Sequence, residues 1–467
     1  MKLSVKTKLG FASASLADGL CYVLFYSFFL LFLTDYAGVD PAWAGTISLI
    51  VVLWDAITDP VMGYISDNWK SQRGRRRPFI LYGILPWVLS VVLMFVNISF
   101  NEVGKFSYYL FMAMLFWTAY TICLVPYNAL GAELTDDYSE RASLRLFAQL
   151  FSSAGTMLAG VFTLLLVEVF SSVFGVDEKG AWLYVAVLFA ILSFVSLIVT
   201  WFAMKGHDSV APETAEKKPF GDIFKEFGIL VRDVKPIKWI LLSIAFFMCG
   251  NSLYGSGIVY AYSYLLGFTA DQIAVCGLYG AVIGLGFPLL TNLFIRKFDK
   301  KQVLVVFLAV STAALLAFRF IGMDTAVKCY TYVTLYGLSN FGFWGLFWSF
   351  VYDCCEVDML VNGKARQGTT TSMASMIQKF GSAIAMWLIG IILSVSGYDG
   401  MAEVQTDSAM NGILDVITVW PAVLTGCALL FLLIYPINGK KFSRIQECLK
   451  EKEATGTYSS EGLEHLL

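Results

Sequence analysis

Asp55 and Asp59 are the residues whose types and spacing most directly suggest chemistry in this sequence. They interrupt an otherwise apolar segment over residues 43–65. On a helix the i, i+4 spacing places both carboxylates on one face, which Thr58 shares. Two like charges so close together repel each other, which favours a shared proton or a bound cation. The pair therefore predicts a coupling site for Na⁺ or H⁺. The alternative is that these acids pair with a lysine and serve structure alone.

Two further charged residues, Asp18 and Lys379, border long uncharged runs. An ionised side chain in the core of a bilayer costs on the order of a few kcal/mol unless it is paired or hydrated, so such residues are usually functional. Both lie near the inner ends of their runs and could instead reach the interface. We expect them to be functional, although pairing of the acids with Lys379 for structure alone is the alternative.

Aromatic side chains follow two of the apolar runs at helical spacing. Asp18, Tyr22 and Tyr26 are spaced i, i+4, i+8, and Trp344 begins a similar stripe further along the chain. A sugar site needs groups that hydrogen-bond hydroxyls and an aromatic face for the ring, so these stripes are candidate sugar platforms. Packing and interface belts are the alternative. A separate apolar run offers neutral ligands at Tyr120, Thr121 and Asn128.

The elements that position these residues belong to a membrane protein. Of the 467 residues, 58% are apolar or aromatic and only 15% are charged, with a mean hydropathy of +0.69. Soluble proteins carry about 25% charged residues, so the composition argues against soluble domains, nucleic-acid binding and disorder. Helices of about 20 residues cross a bilayer, and a β-barrel would show short alternating strands instead. The twelve predicted spans are 19–34, 43–65, 78–101, 106–132, 146–167, 180–204, 239–270, 272–295, 302–318, 329–352, 380–398 and 416–439. The first is expected to extend back past Asp18 and the eleventh back past Lys379.

The distribution of lysine and arginine predicts how these helices are oriented. With the N-terminus inside, all but five of the 33 lysines and arginines fall in cytoplasmic segments, the exceptions being Lys105, Lys179, Arg319, Lys328 and Lys379. The positive-inside rule then places both termini in the cytoplasm. The first apolar run is long and lacks a small-residue cleavage site, so we expect it to be retained as a helix.

The longest polar interruption, residues 205–238, divides the spans six and six. We expect an N-terminal six-helix bundle (1–204), a cytoplasmic linker (205–238), a C-terminal six-helix bundle (239–440) and a cytoplasmic tail (441–467). This is the plan of the all-α major facilitator fold, in which two pseudo-symmetric six-helix bundles enclose the site. The charged tail favours a solvated segment over an amphipathic surface helix.

Motifs in both halves carry a resemblance to a known family. They are WDAITDP at 54–60, the basic loop RGRRR at 73–77, PYNALG at 126–131 and KFGSA at 379–383. Together they resemble the glycoside–pentoside–hexuronide:cation symporters, the melibiose-permease-like branch of the major facilitator superfamily. The resemblance extends nearly end to end.

The resemblance implies specific site residues. A cation site would consist of Asp55, Thr58, Asp59 and Thr121, and a substrate site of Asp18, Tyr22, Tyr26, Tyr120, Asn128, Gln149, Trp344 and Lys379. This chain departs from the best-known sugar carriers by having Thr58 in place of an amide, Leu124 and Asn128 in place of an acid and a tryptophan, and Gln149 in place of an arginine. The pocket is therefore not that of a melibiose carrier. With an acid missing, Lys379 is less neutralised, which leaves an anionic hexuronide open as substrate, although Gln149 argues against it.

We expect a secondary active transporter that couples Na⁺ or H⁺ to the movement of a sugar or glycoside by alternating access. The implied partners are the sugar, a monovalent cation and membrane lipid, with no nucleic acid and no cofactor besides the coupling ion, in a protein that works as a monomer in the bacterial inner membrane. The loop residues Asp67, Arg73, Arg75 and Arg76 would latch the halves on the cytoplasmic side.

Three other functions are alternatives to this one. An enzyme is disfavoured because the only histidines, His207 and His465, lie in the linker and the tail, and no soluble domain is present. A carrier of lysophospholipid or another amphiphile would keep the fold but needs a more apolar cavity. A sugar receptor that does not transport would retain binding alone. The sugar, the coupling ion and the stoichiometry stay open at this stage.

Overall fold

The computed structural model describes residues 3–69, 74–134, 138–208, 221–295, 297–363, 366–402 and 404–455, together with 457 and 463. Within these ranges the regular structure is helical, and no strand occurs. Ten of the described helices are long and apolar enough to cross a membrane. The two other predicted spans, 272–295 and 329–352, are also helical. The prediction of an all-α polytopic protein is confirmed.

The N-terminal half consists of long helices whose starts are fixed by caps. Asp40, Asn101 and Asp177 accept hydrogen bonds from the first backbone N–H groups of the helices that follow them, which satisfies donors that a helix start leaves free. The elements are α1 (Val5–Val23), continued by π-helical Leu24–Phe29 and Phe32–Tyr36, α2 (Pro41–Asn68), α3 (Arg77–Met94), α4 (Glu102–Glu133), α5 (Tyr138–Phe174) and α6 (Glu178–Ala203).

The C-terminal half differs from the predicted bounds at the last span. That span was predicted over 416–439, but a helix over Asp407–Ile417 already contains Asp415, and the span is broken at Thr418. A single charge does not end a helix, which is why the uncharged-run criterion started it too late. The eleventh span was predicted to extend back past Lys379, and its helix, which begins at Gln367, does so. The elements are α7 (Gly221–Asp233), α8 (Ile237–Tyr260) with π-helical Ala261–Leu265, α9 (Ala270–Ile295), α10 (Lys300–Ile321), α11 (Ala326–Asn362), α12 (Gln367–Val395), α13 (Asp407–Ile417), α14 (Val419–Ile434) and α15 (Gly439–Thr455).

The chain forms two compact units. The first comprises Met1–Lys217, Tyr262–Leu278 and Met386–Gly412, and the second comprises Lys218–Ala261, Tyr279–Ala385 and Ile413–Leu467. In the first unit α1 packs against α5 and α6, and α4 packs against α2 and α3. In the second unit α8 packs against α14, and α10 packs against α11 and α14. The predicted domain boundaries at 204, 238 and 440 stay a prediction.

Two glycines bring α1 and α5 into close contact in the first unit. A Cβ on Gly19 would meet the backbone of Ser152, and a Cβ on Gly155 would meet the backbone of Leu16. Small residues of this kind let membrane helices approach closely, where lipid provides no hydrophobic force to join them. The crossing buries most of α1 and carries Asp18 into the interior of the unit.

The tail is helical rather than a solvated segment, so that expectation is wrong for α15. Ile445 and Cys448 are buried in the core of the second unit, and Lys452 Nζ donates to the Leu360 carbonyl over 2.6 Å. Its charged residues alternate with apolar ones at helical spacing, and the apolar side finds a partner in α11.

Candidate functional site

Thr121 of α4 joins the two acids of α2. Its Oγ1 lies 3.1 Å from Asp55 Oδ1 and 3.0 Å from Asp59 Oδ1. Asp55 is fully buried and Thr121 is 1% exposed. A hydroxyl carries one hydrogen and can donate to only one of the two carboxylates. The second short oxygen–oxygen contact needs a proton on the acid or a cation between the oxygens, so the arrangement favours occupation by H⁺ or a small cation.

Thr58 takes a different position from the other three predicted cation ligands. Its hydroxyl donates to the Asp55 carbonyl of its own helix over 3.2 Å. A threonine bonded back to its own helix keeps oxygen lone pairs for a ligand but uses its hydrogen locally. Its role as a cation ligand stays a prediction. Among the described residues no group of three or more His, Cys, Asp or Glu side chains could hold a metal ion.

Asp18 and Tyr120 form the centre of the predicted substrate face in the first unit. The Tyr120 hydroxyl donates to Asp18 Oδ1 over 2.5 Å. Tyr22 and Tyr26 lie on the same side of α1, with ring centroids 4.4 Å apart, and Tyr22 is 41% exposed. The i, i+4, i+8 prediction thus describes a real aromatic surface beside an acid.

Sequence reasoning missed two tryptophans that hold Tyr120 in place. The ring centroid of Trp117 lies 4.8 Å from that of Tyr120 and 6.0 Å from that of Tyr26. Trp87 of α3 packs on Tyr120 at 4.9 Å. Trp117 precedes Tyr120 by three positions on one helix face, so its spacing could have revealed it, whereas the contact with Trp87 depends on how α3 meets α4.

Asn128 and Gln149, by contrast, are exposed side chains. The Gln149 Nε2 donates to Ser153 Oγ on its own helix over 3.4 Å. Next to Asn128, the Tyr127 hydroxyl bonds to Ser15 Oγ over 2.9 Å, which links α4 to α1. The substrate roles of Asn128 and Gln149 stay predictions.

The remaining predicted substrate residues, Trp344 and Lys379, lie in the second unit. Trp344 of α11 is 40% exposed and packs edge-on against Phe347, while Lys379 lies partly buried within α12. In the same unit the Tyr336 hydroxyl donates to Asn251 Oδ1 over 2.9 Å, and the Tyr254 ring stacks on Tyr336 at 3.8 Å. Polar side chains of α8 thereby join α11. The roles of Trp344 and Lys379 stay predictions.

The basic loop between α2 and α3 contacts the end of α6 and the start of the linker. The backbone N–H groups of Arg76 and Arg77 both donate to Asp208 Oδ2 over 2.9 Å. Gly74 has φ +102°, and any Cβ there would collide with Asp208. Sequence reasoning missed Asp208. Arg75 is partly buried, whereas Arg73 and the Asp67 side chain lie outside the described residues, so the latch stays a prediction.

Comparison with known proteins places this geometry among transporters. The profile of a family described as "MFS/sugar transport protein" matches residues 10–439. The chain is 28% identical to the Bacillus subtilis protein named uncharacterized symporter YnaJ, over 97% of this chain and 96% of that protein. It is 25% identical to the Escherichia coli protein named putative glycoside/cation symporter YagG, over 97% of each chain. A crystal structure of a D-xylose-proton symporter superposes with a TM-score of 0.66 at 15% identity, covering 92% of this chain and 98% of that one.

Proposed function

Because this chain belongs to the MFS/sugar transport protein family, we propose that it couples the movement of a cation, Na⁺ or H⁺, to that of a sugar or glycoside across the membrane. The family consists of transport proteins, not enzymes. The name of the similar E. coli protein, a putative glycoside/cation symporter, supports the same substrate class and the same kind of coupling.

One observation carries the proposal: neighbouring residues of α4 reach the two candidate sites. Thr121 bridges Asp55 and Asp59, and Tyr120 donates to Asp18. A change in the length or angle of either contact acts on the same helical turn. The cation and the sugar can therefore influence each other's binding without a long chain of intermediates.

The mechanism follows from the charges. A cation bound at Asp55 and Asp59 relieves the repulsion between the two carboxylates and frees the Thr121 hydroxyl to settle on one of them. This fixes α4, and with it the hydroxyl of Tyr120 that orients Asp18. Asp18 then accepts hydrogen bonds from sugar hydroxyls, while the aromatic rings of Tyr22 and Tyr26 cover the apolar face of the sugar.

The C-terminal half completes the site in this proposal. Trp344 supplies an aromatic face, and Lys379 supplies a charged hydrogen-bond donor for the substrate. Asn128 and Gln149 provide further polar contacts. When both ligands are bound, the charges of the site are paired and the carrier can expose it on the other side.

The same features support a proposal for the location and the oligomeric state of the protein. It is a multi-pass membrane protein, and the distribution of Lys and Arg supports cytoplasmic termini in a bacterial inner membrane. A single chain carries all the proposed ligands, so we expect a monomer surrounded by lipid to be active. The coupling ion is the sole non-sugar ligand that the mechanism needs.

The proposal predicts that Asp59→Asn abolishes cation-stimulated sugar accumulation, because one carboxylate and a neutral amide no longer require a cation. Uptake is measured in cells with a panel of radiolabelled monosaccharides, glycosides and hexuronides. The matched control is Asp40→Asn, which also changes an aspartate of the α2 region but keeps the helix cap. Accumulation that survives in Asp59→Asn at the control level would refute this coupling site. Binding without uptake in the unmodified protein would indicate a receptor.

A further inference from the structure

A second carboxylate, far along the chain from the cation pair in α2, gathers three hydroxyl groups. Asp35 Oδ1 accepts hydrogen bonds from Thr34 Oγ1 and the Tyr398 hydroxyl, each over 2.6 Å. Its Oδ2 accepts from the Tyr264 hydroxyl over 2.8 Å. The tyrosines come from the π-helical turn after α8 and from the segment after α12, and all of these residues belong to the first unit. One carboxylate thus ties the end of the first helix to the ends of two others.

Tight backbone packing surrounds this cluster. A Cβ on Gly400 would lie 2.6 Å from the Thr34 carbonyl oxygen, so the segment after α12 rests directly on the end of the first helix. Nearby, a Cβ on Gly45 would lie 2.9 Å from Gly390 Cα, which places α2 and α12 in contact. In the predicted orientation all of these residues are at the outer face. Any opening there has to break the hydrogen bonds of Asp35.

The charged side chains near Asp35 interact with other residues of this region. Lys105 of α4 donates to the carbonyls of Ala37 and Gly38, over 2.7 and 3.2 Å. The remaining charged neighbours each act on another residue of the region: Glu178 on Tyr36, Lys179 on Met401 and Asp399 on Tyr264.

The Asp35 carboxylate itself accepts hydrogen bonds from neutral hydroxyls. It lies beyond the spanning segment Val5–Phe29. Burial raises the pKa of Asp35 to about 6, and this effect outweighs the opposing effect of its three hydrogen bonds.

We propose that Asp35, Tyr264 and Tyr398 form a clasp at the outer ends of α1, α8 and α12 that is released when Asp35 takes up a proton. The ionised carboxylate accepts all three hydroxyl hydrogens. The protonated acid carries a hydrogen on one oxygen and no longer presents a negative charge to the two tyrosine hydroxyls, so their hydrogen bonds to it are weakened. The clasp is therefore closed above the pKa of Asp35 and weakened below it.

The clasp binds a proton that is separate from the coupling ion at Asp55 and Asp59. Its consequence for uptake rests on the proposed transport function: an acidic outer medium would favour the state that is open to that medium. The clasp itself can be tested without substrate, so the two proposals fail separately.

The test is a distance measurement between spin labels on the purified full-length protein in lipid nanodiscs. Labels are attached at Val103→Cys and Val404→Cys, which both lie in the first unit and whose parent side chains are 64% and 83% exposed. Cys427, the one native cysteine that is not buried, is replaced by serine. Double electron–electron resonance is recorded between pH 7.5 and 5, with Asp35→Asn, Tyr264→Phe, Tyr398→Phe and, as matched control, Tyr108→Phe, which removes a hydroxyl bonded instead to the Leu93 carbonyl.

We expect the long-distance population of the unmodified protein to grow as the pH falls through about 6. Asp35→Asn mimics the protonated acid, so it shows the long population at every pH and no response. Each single tyrosine variant raises the ratio of long to short distances at pH 7.5 by about tenfold, the effect of one hydrogen bond to a charged group. Tyr108→Phe behaves as the unmodified protein does. An unchanged pH response in Asp35→Asn, or tyrosine variants indistinguishable from Tyr108→Phe, would overturn the proposal.

Discussion

At the scale of single residues, the proposed cation site depends on the one hydrogen of the Thr121 hydroxyl, which lies within reach of two carboxylates. Asp55, Asp59 and Thr121 bring three oxygen atoms together with one hydroxyl hydrogen between them. Added positive charge stabilises such a group, since two carboxylates held close together repel each other. A coupling site needs this property, because the transporter without a bound cation has to be less stable than the transporter with one.

Thr121→Val tests the role of this hydroxyl, because it removes the group with almost no change in the shape of the side chain. The variant removes the hydroxyl that bridges the two carboxylates, and the loss of a hydrogen bond to a buried polar group costs about 1–3 kcal/mol. We expect the apparent affinity for the coupling cation to fall by roughly 5- to 150-fold. The measurement is sugar uptake as a function of Na⁺ concentration and, separately, of pH.

The control for this variant is Thr163→Val. Thr163 is also a fully buried threonine, but its hydroxyl donates to the Ala159 carbonyl of its own helix. We expect its cation dependence to match that of the unmodified protein. Equal shifts in the two variants would mean that loss of any buried hydroxyl, rather than loss of the bridge, causes the effect.

Contacts between residues could be predicted where both partners lie on one helix face, because their helical spacing is visible in the sequence. Asp55 and Asp59 follow from their i, i+4 spacing, and the prediction that Thr121 joins them comes from the family resemblance. The Asp18–Tyr120 contact and the clasp at Asp35 depend on which helices are neighbours, and a single sequence does not contain that information. Asp208 was missed because a loop acid gives no periodic signal.

At the scale of elements, the crossing of α1 and α5 positions the substrate face. Gly19 and Gly155 each occupy a place where the partner backbone leaves no room for a Cβ. A larger residue there would push α1 away and move Asp18 with it, since Asp18 directly precedes Gly19. The rest of the unit cannot accommodate this displacement of α1, because the helix is buried on most of its surface.

Gly155→Ala is therefore expected to destabilise the protein. Overpacking of a close contact costs about 1–3 kcal/mol, so the melting temperature in detergent should fall. Gly228→Ala in α7 is the matched control, because nothing lies within 4 Å of its Cβ position. There alanine should stabilise the helix by about 0.5–1 kcal/mol. Shifts of the same sign in both variants would contradict the close-packing account.

Helix existence was easier to predict from the sequence than helix bounds. Long apolar runs located every span, because a bilayer leaves a helix no other way to satisfy its backbone. The bounds failed at Asp415, where a charge was read as an end although α13 continues through it. The tail helix α15 was missed for the opposite reason: its charges suggested solvent, while Ile445 and Cys448 found a partner in the second unit.

At the scale of the whole molecule, the chain uses its few charges for two separate purposes. Most lysines and arginines lie in segments outside the spans, where they set the predicted orientation. Three acids inside the spans, Asp18, Asp55 and Asp59, are each placed against a hydroxyl donor of α4. In a protein with 15% charged residues, this arrangement concentrates the ligand-responsive chemistry on one helix.

The central claim is that a cation gradient drives sugar accumulation through the site at Asp55 and Asp59. The most direct measurement uses the purified protein in liposomes, with an inward Na⁺ gradient or an inward H⁺ gradient imposed alone, and uptake of the radiolabelled sugar panel followed over time. We predict that one of the two gradients drives a sugar transiently above its equilibrium level and that Asp59→Asn reduces this to equilibration or less. Equilibration without overshoot under both gradients, or an overshoot that persists in Asp59→Asn, would contradict the account.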